Sequence, residues 1–268
     1  MRRSKQPAAC PLTPLSDSRN VALLFVSVSG DREYLLEPGE RLETDLGILE
    51  VPQSVRPGET VETHLGTAFV ARKLRGPDLF NHLERTGAPM MPRDVGLLVG
   101  HLGIESGDNV LDAGTGTGIL SVMLGRLGAQ VETYESNPEF AEVARENVAR
   151  AGVTEQVRVH TGDITEQLES ATEHIEAAKF DVLTLDTADA PVVVSHATDL
   201  LVPGGAVGVY SPFVEHTREV VETARNSGLS ELKTLETLQR EMMFDERGSR
   251  PSTAGVGHTG YLTVGRVR

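Results

Sequence analysis

The chain has little cysteine and no long apolar run, and each shortage excludes a class of protein. A single cysteine, Cys10, leaves no intrachain disulfide and no cysteine-based zinc centre, so we predict no metal site. The longest apolar stretches, such as residues 21–28, are far shorter than the roughly 20 residues that a membrane helix needs. No apolar segment follows the basic start of the chain. We therefore expect no secretory signal and a cytoplasmic location.

Lysine, tryptophan and aromatic residues in general are also scarce. The chain has no tryptophan, 4% aromatic residues and a net charge of −14, from 39 acids against 25 bases. Only four of those bases are lysines. Excess carboxylate with few lysines resembles the acidic surface of proteins from salt-loving organisms, where a short Debye length weakens self-repulsion. This balance argues against a generic nucleic-acid binder but leaves RNA recognition through a local arginine patch open.

The 268 residues are enough for one large domain and one small domain. Residues 1–20 contain three prolines among mixed polar residues and are predicted to be a disordered tail. Residues 21–75 show short strand patterns separated by turn signals, which predict a small β-barrel or sandwich with a binding or assembly role. The predicted strands there are 21–29, 33–36, 47–51, 60–64 and 68–73.

Residues 76–268 alternate between strand and helix patterns after a connector at 76–90 and a helix that begins at Pro92. This alternation predicts an α/β fold with a doubly wound, mostly parallel, seven-stranded sheet. The predicted strands are 109–113, 130–134, 157–160, 180–185, 206–210, 232–242 and 260–267. The predicted helices between them are 118–127, one from 138, 166–175, 191–201 and 213–226.

A glycine loop after the first strand of this region is the feature around which the rest is arranged. Gly114, Gly116 and Gly118 form a turn between the strand ending at Asp112 and the next helix, an arrangement typical of ligand binding. Ile119 stands where a dinucleotide fingerprint has its third glycine. An acid before alternating glycines resembles instead the first motif of class I S-adenosylmethionine (SAM) methyltransferases. The alternative is a merely tight strand–helix turn. The predicted cofactor-binding residues of the loop are Asp112, Ala113, Gly114, Thr115, Gly116, Thr117 and Gly118.

Four acids follow successive strands, at the sheet edge where α/β proteins bind ligands. We predict that Glu135 binds both ribose hydroxyls and that Asp163 accepts from the adenine amine of the cofactor; a helix cap is the alternative role for Asp163. Asp112 is predicted to lie near the sulfonium end. Asp186 lies where the acceptor enters, and its carboxylate would stabilise the positive charge that grows on a methylated adenine ring. The alternative for Asp186 is a structural acid at a strand end.

The motifs together resemble the tRNA (adenine-N1)-methyltransferases that act on the T-loop, in their archaeal and bacterial form. The resemblance covers about residues 20–268, and its C-terminal part is the most discriminating because general SAM enzymes lack it. The matching stretches are Arg85-Thr86, Pro92-Arg93-Asp94, residues 111–118, Tyr134-Glu135, Arg240-Glu241 in the sixth strand, Arg250-Pro251 and residues 257–262.

The resemblance implies a SAM cofactor, a tRNA substrate, a homotetramer and Asp186 as the catalytic acid. It also implies that Arg250 and His258 line the acceptor site or an interface, although a turn histidine bonded to backbone is an equal alternative for His258. The chain departs from the family in lacking flat side chains at Met91, at Met242 and after Asp186. Two other functions therefore stay open: a SAM-dependent methyltransferase with another acceptor, and a SAM-fold tRNA-binding subunit without catalysis.

Overall fold

The computed structural model describes residues 21–169 and 179–268. The tail predicted for residues 1–20 and the end of the helix predicted for 166–175 lie outside these ranges. Within them, no helix has the length and hydrophobicity to cross a bilayer.

The N-terminal part of the chain is made of short antiparallel strands. Four of them form one sheet in the order β2-β1-β6-β5, and β3 pairs with β4. The strand β3 was not predicted. The strands are β1 (Leu23–Ser27), β2 (Glu33–Leu36), β3 (Arg41–Thr44), β4 (Gly47–Glu50), β5 (Thr60–Glu62) and β6 (Ala68–Arg72).

Strand β1 is buried along its whole length because it contributes to two cores. Leu23 and Phe25 pack with the small β region, whereas Leu24 and Val26 join the main core of the α/β region. The period-2 alternation of a strand sends neighbouring side chains to opposite faces, so one strand can join both layers. The domain boundary predicted after residue 75 stays a prediction, since β1 belongs to both cores.

The α/β region confirms the predicted doubly wound architecture. Its seven strands lie in the order β12-β15-β11-β10-β7-β8-β9, and β15 alone runs antiparallel to its neighbours. The strands are β7 (Asn109–Ala113), β8 (Gln130–Glu135), β9 (Val157–Thr161), β10 (Phe180–Leu185), β11 (Leu201–Ser211), β12 (Ser230–Glu236) and β15 (Tyr261–Arg266). The helices are α1 (Gly76–His82), α2 (Pro92–Leu102), α3 (Ile119–Leu127), α4 (Pro138–Arg150), α5 (Ile164–Glu169), α6 (Ala190–Ser195), α7 (Ala197–Leu200) and α8 (Val214–Asn226).

The sixth strand of the large sheet is shorter than predicted. It ends at Glu236, which pairs with Tyr261, the first residue of β15, so the residues beyond Glu236 have no partner strand in the large sheet. Arg240 and Glu241 therefore lie outside the strand in which they were expected. The apolar residues that follow form an exposed hairpin of β13 (Met242–Asp245) and β14 (Gly248–Pro251).

Two further segments differ from their predictions. The connector predicted for 76–90 contains α1, because Pro77 suits a first helical turn and Asp78 accepts a hydrogen bond from the backbone N–H of Arg75 at 2.7 Å. The helix predicted for 191–201 is divided into α6 and α7 at His196. Strand β11 then begins at Leu201. The residues between Leu201 and Ala206, which include two glycines, form a bulge against β10.

Candidate functional site

The carboxyl ends of four parallel strands surround one cavity of about 370 Å³. This volume lies within the range of ordinary small-ligand sites. The cavity is lined by the ends of β7 to β10 and, on another side, by the segment that precedes α2. Its lining includes Ala113–Thr117, Tyr134–Ser136, Gly162–Ile164, Asp186, Thr187, Asp189 and Thr86–Met90. We call it the strand-end cavity.

The glycine loop packs directly against the end of β10. Gly114 has φ +87°, and a Cβ built there would lie 2.6 Å from the carbonyl carbon of Asp186. The backbone N–H of Asp186 donates to the carbonyl of Ala113 at 2.9 Å. Only glycine combines this positive φ with so close a backbone approach, so the loop itself sets the position of Asp186.

Asp112 lies behind the loop and does not line the strand-end cavity. Its carboxylate is buried and accepts hydrogen bonds from the hydroxyls of Ser121 at 2.9 Å, Thr133 at 2.6 Å and Thr184 at 2.6 Å. Burial raises the pKa of the Asp112 carboxyl, and these three hydroxyls oppose that effect. The side chain thus ties β7 to its two neighbouring strands and to α3, and its predicted place near the sulfonium end of the cofactor stays a prediction.

Glu135 supports the loop from the end of β8 while facing the cavity. One carboxylate oxygen accepts from the N–H of Gly116 at 2.8 Å and the other from the N–H of Asn137 at 3.0 Å. The residue is 7% exposed. Each carboxylate oxygen retains a further acceptor site, so Glu135 is oriented by backbone and still able to bind two hydroxyl donors.

Asp163 caps a helix and also lines the strand-end cavity, and its predicted role toward the adenine amine stays a prediction. Its Oδ1 accepts from the N–H and from the hydroxyl of Thr165, each at 2.8 Å, which caps the start of α5. The residue also lines the cavity, and its Oδ2 accepts no hydrogen bond from the residues described. The cap therefore fixes the side chain and leaves one oxygen available to a ligand.

Asp186 directly follows β10 and lines the strand-end cavity. Desolvation by burial, with the nearby charge of Asp112, raises the pKa of the Asp186 carboxyl to about 7. Catalytic acids and bases commonly lie in a cavity and change their protonation state near neutral pH, as this carboxyl does.

The comparisons with known proteins agree with this geometry. The family model described as tRNA methyltransferase complex GCD14 subunit matches residues 79–247. The chain is 32% identical to the tRNA (adenine(57)-N(1)/adenine(58)-N(1))-methyltransferase TrmI of Methanocaldococcus jannaschii, over 91% of this chain and 94% of that protein. It is 30% identical to the tRNA (adenine(58)-N(1))-methyltransferase TrmI of Thermus thermophilus, over 68% of this chain and 71% of that protein.

This chain belongs to the GCD14 family of tRNA methyltransferases. Solved structures support the fold: a SAM-dependent O-methyltransferase from Thermotoga maritima superposes with a TM-score of 0.74 at 24% identity, covering 92% of each chain. TrmI from Aquifex aeolicus superposes with a TM-score of 0.69 at 22% identity, covering 91% of this chain and 96% of that one.

In this GCD14-family member, Arg250 and His258 lie outside the cavity lining. Arg250 is on the exposed strand β14. His258 bonds through Nδ1 to Glu236 at 2.7 Å and through Nε2 to the carbonyl of Pro212 at 3.0 Å. Both partners are acceptors, so both bonds form only with the imidazolium, and the pKa of His258 is raised by the Pro212 carbonyl and by Glu236.

The side chain of Arg93 holds the C-terminal loop, residues 252–260, and no role was predicted for it from the sequence. Arg93, at the start of α2, donates to the carbonyl of Val256 and to the hydroxyl of Thr259, each at 3.1 Å. The hydroxyl of Tyr210 donates to Asp94 at 3.4 Å, and burial raises its pKa to about 12. The Pro92-Arg93-Asp94 and 257–262 motifs, far apart in sequence, were the only signal of this contact.

Proposed function

We propose that this chain transfers a methyl group from SAM to N1 of an adenine in the T-loop of tRNA. The observation that carries the proposal is the match to the M. jannaschii TrmI over 91% of this chain and 94% of that protein, a share too large to leave out the small β region. In sequence, relatives named for protein substrates match a smaller part of the chain. A protein-L-isoaspartate O-methyltransferase, for example, matches over 42% of this chain, which favours tRNA as the acceptor.

The residues of the strand-end cavity fit a SAM cofactor. A Cβ at Gly116 would meet only the Gly114 carbonyl, at 4.0 Å, so the loop leaves the cavity open beside it. Glu135 binds the two ribose hydroxyls, and Asp163 accepts from the adenine amine with the oxygen that its cap leaves free. When bound, SAM supplies an electrophilic methyl group on its sulfonium.

Asp186 orients the acceptor and balances its charge. The ring nitrogen of adenine is a neutral nucleophile, and methylation makes the ring cationic. The Asp186 carboxylate accepts a hydrogen bond from the 6-amino group of the target adenine, which orients N1 and stabilises the positive charge that develops. Asp112, held by its three hydroxyls, anchors the strand ends between which Asp186 sits.

The chain assembles as a homotetramer and acts in the cytoplasm on tRNA, with residues 21–75 as a docking or assembly domain and 76–268 as the catalytic domain. The β13–β14 hairpin supports assembly, because Met242, Met243 and Phe244 on it are 51%, 39% and 77% exposed. Exposed apolar clusters of this kind usually mark an interface. Light scattering of wild type and Phe244→Ser tests this: the variant should lose mass, and a wild-type monomer would contradict the assembly.

The activity test uses purified protein, SAM and an unmodified tRNA transcript at high salt, with the nucleosides analysed by mass spectrometry. We expect 1-methyladenosine with the wild type and none with Asp186→Asn. Asp199→Asn, the same change at an exposed site outside the cavity, serves as the matched control and should retain activity. Methylation of small metabolites without tRNA methylation, or SAM binding without any turnover, would refute the proposal.

A further inference from the structure

The buried side chain of Asn147, on α4, joins two segments that are far apart in the chain. Its amide nitrogen donates to the carbonyl of Glu84 at 2.9 Å and to the carbonyl of Thr117 at 2.8 Å. Its amide oxygen accepts from the N–H of Glu84 at 3.1 Å, and the residue is 1% exposed. Among side chains of this size, only the asparagine amide donates twice and also accepts, so the contact depends on this residue type.

The two segments form different walls of the strand-end cavity. Thr117 belongs to the glycine loop and lines the cavity, and Glu84 begins the segment whose residues Thr86–Met90 line it from another side. We call residues 84–90 the wall segment. Asn147 itself does not line the cavity. Its hydrogen bonds therefore set the spacing between the two walls without reaching into the space that the walls enclose.

Few other contacts hold the wall segment in place. In the part of the chain that the structure describes, its one other hydrogen bond runs from the side chain of Arg85 to the carbonyl of Phe80, in the adjacent helix α1. Met90, at its end, is buried in the main core, whereas residues 87–88 in its middle are exposed. Segments with few hydrogen bonds and an exposed middle open easily. Asn147 is thus the polar contact that keeps the first half of the wall segment against the glycine loop.

Helix α4 connects this contact to the rest of the site. Ala144 packs against the end of the glycine loop, since a Cβ built at Gly118 would lie 3.3 Å from the Cβ of Ala144. Residues three apart share a helix face, so the face of α4 that meets the loop also carries Asn147. At the start of the helix, the N–H of Asn137 donates to Glu135 at 3.0 Å. One helix therefore links the wall segment, the glycine loop and Glu135.

We propose that Asn147 is a positioning residue for the methyl donor, an assignment that rests on the proposed use of SAM. It holds the wall segment at the distance from the glycine loop at which both walls contact the same ligand. The residue acts through the two walls and does not contact the donor itself.

Asn147→Ala should weaken the binding of S-adenosylhomocysteine roughly tenfold, measured by calorimetric titration. The substitution removes all three hydrogen bonds and keeps a residue of high helix propensity. The wall segment then occupies the binding-competent position for a smaller fraction of the time, and the apparent affinity falls by that fraction. A factor of about ten corresponds to the net contribution of one hydrogen bond. The dissociation rate of the ligand should rise accordingly.

Tryptic cleavage after Arg85 reports on the wall segment directly. The bond between Arg85 and Thr86 lies within the segment, and Arg85 is exposed. Asn147→Ala should speed this cleavage several-fold, because proteases cut segments that open locally. Saturating S-adenosylhomocysteine should slow it in the wild type, because a ligand between the walls holds the segment closed.

Thr63→Ala is the matched control for these measurements. Thr63 is buried in the small β region, where its hydroxyl donates to the carbonyl of Leu46 at 2.8 Å and accepts from the N–H of Thr67 at 3.1 Å. Like Asn147 it joins two segments through its side chain, but it lies outside the cavity lining. Both variants should lower the melting temperature. The control should leave the binding of S-adenosylhomocysteine and the cleavage after Arg85 unchanged.

Wild-type affinity in Asn147→Ala, weakening no greater than that in Thr63→Ala, or unchanged cleavage after Arg85 would each overturn the assignment. If Asn147→Ala does not fold, Asn147→Ser gives the same comparison, because its hydroxyl donates to only one carbonyl. A wild-type protein that binds S-adenosylhomocysteine but is cleaved as fast as the free protein would overturn the assignment without any variant. A wild-type protein that does not bind this ligand would instead overturn the proposed use of SAM, so the two failures are distinguishable.

Discussion

Replacing Asp186 by asparagine should abolish methyl transfer and at the same time stabilise the folded protein. The carboxyl has a pKa of about 7 in the folded chain, against an ordinary value of 3.8 for an aspartate. A raised carboxyl pKa means that folding disfavours the ionised form of the carboxyl. The resulting loss of folding stability is absent when the pH lies below the pKa of the unfolded chain, and it is complete when the pH lies above the pKa of the folded chain. At 1.36 kcal/mol per unit, the cost is roughly 4 kcal/mol at pH 8 and roughly 2 kcal/mol at pH 5.

Urea unfolding of wild type and Asp186→Asn at these two pH values measures this difference directly. The variant should be the more stable protein, and its advantage should shrink as the pH falls from 8 to 5. Asp199→Asn, at an exposed site, should show no pH-dependent gain. The activity of the wild type should fall as the pH drops below 7, because the carboxylate form is lost. An Asp186→Asn protein no more stable than wild type at pH 8 would refute the assigned pKa and its origin in burial.

Three further predictions concern the loop and the C-terminal contacts. Gly114→Ala should lower the free energy of unfolding by at least about 1–2 kcal/mol, measured in urea, because alanine is strained at positive φ and its Cβ meets the backbone of Asp186. Glu236→Gln should lower the pKa of His258 in an NMR titration, and an unchanged pKa would contradict the imidazolium pairing. Arg93→Met should speed hydrogen exchange across the C-terminal loop, measured by mass spectrometry, since two hydrogen bonds that hold the loop are removed.

The strand-end acids show how far residue patterns locate a site. Parallel strands bring their carboxyl ends to one edge, so the order of strands and acids was enough to expect Glu135, Asp163 and Asp186 around one cavity. Which way each side chain points depends on its partners across the sheet. Asp112 faces the hydroxyls of Thr133 and Thr184 on the neighbouring strands, and no local pattern contains that information.

Several features were decided by contacts between distant segments. The sixth strand ends at Glu236 because its partner begins at Tyr261, although the apolar pattern continues to Met242. The side chain of Asn147 likewise joins the carbonyls of Glu84 and Thr117, which lie far apart in the chain, and so holds the segment before α2 against the glycine loop.

The sequence by itself determined the α/β class, the glycine loop and the set of acids, because periodicity, glycine placement and strand-end residues are local properties. Tertiary structure alone decided which carboxylates line the strand-end cavity and how burial brings the pKa of Asp186 to about 7. Desolvation and hydrogen-bond pairing depend on atoms that folding brings together from across the chain.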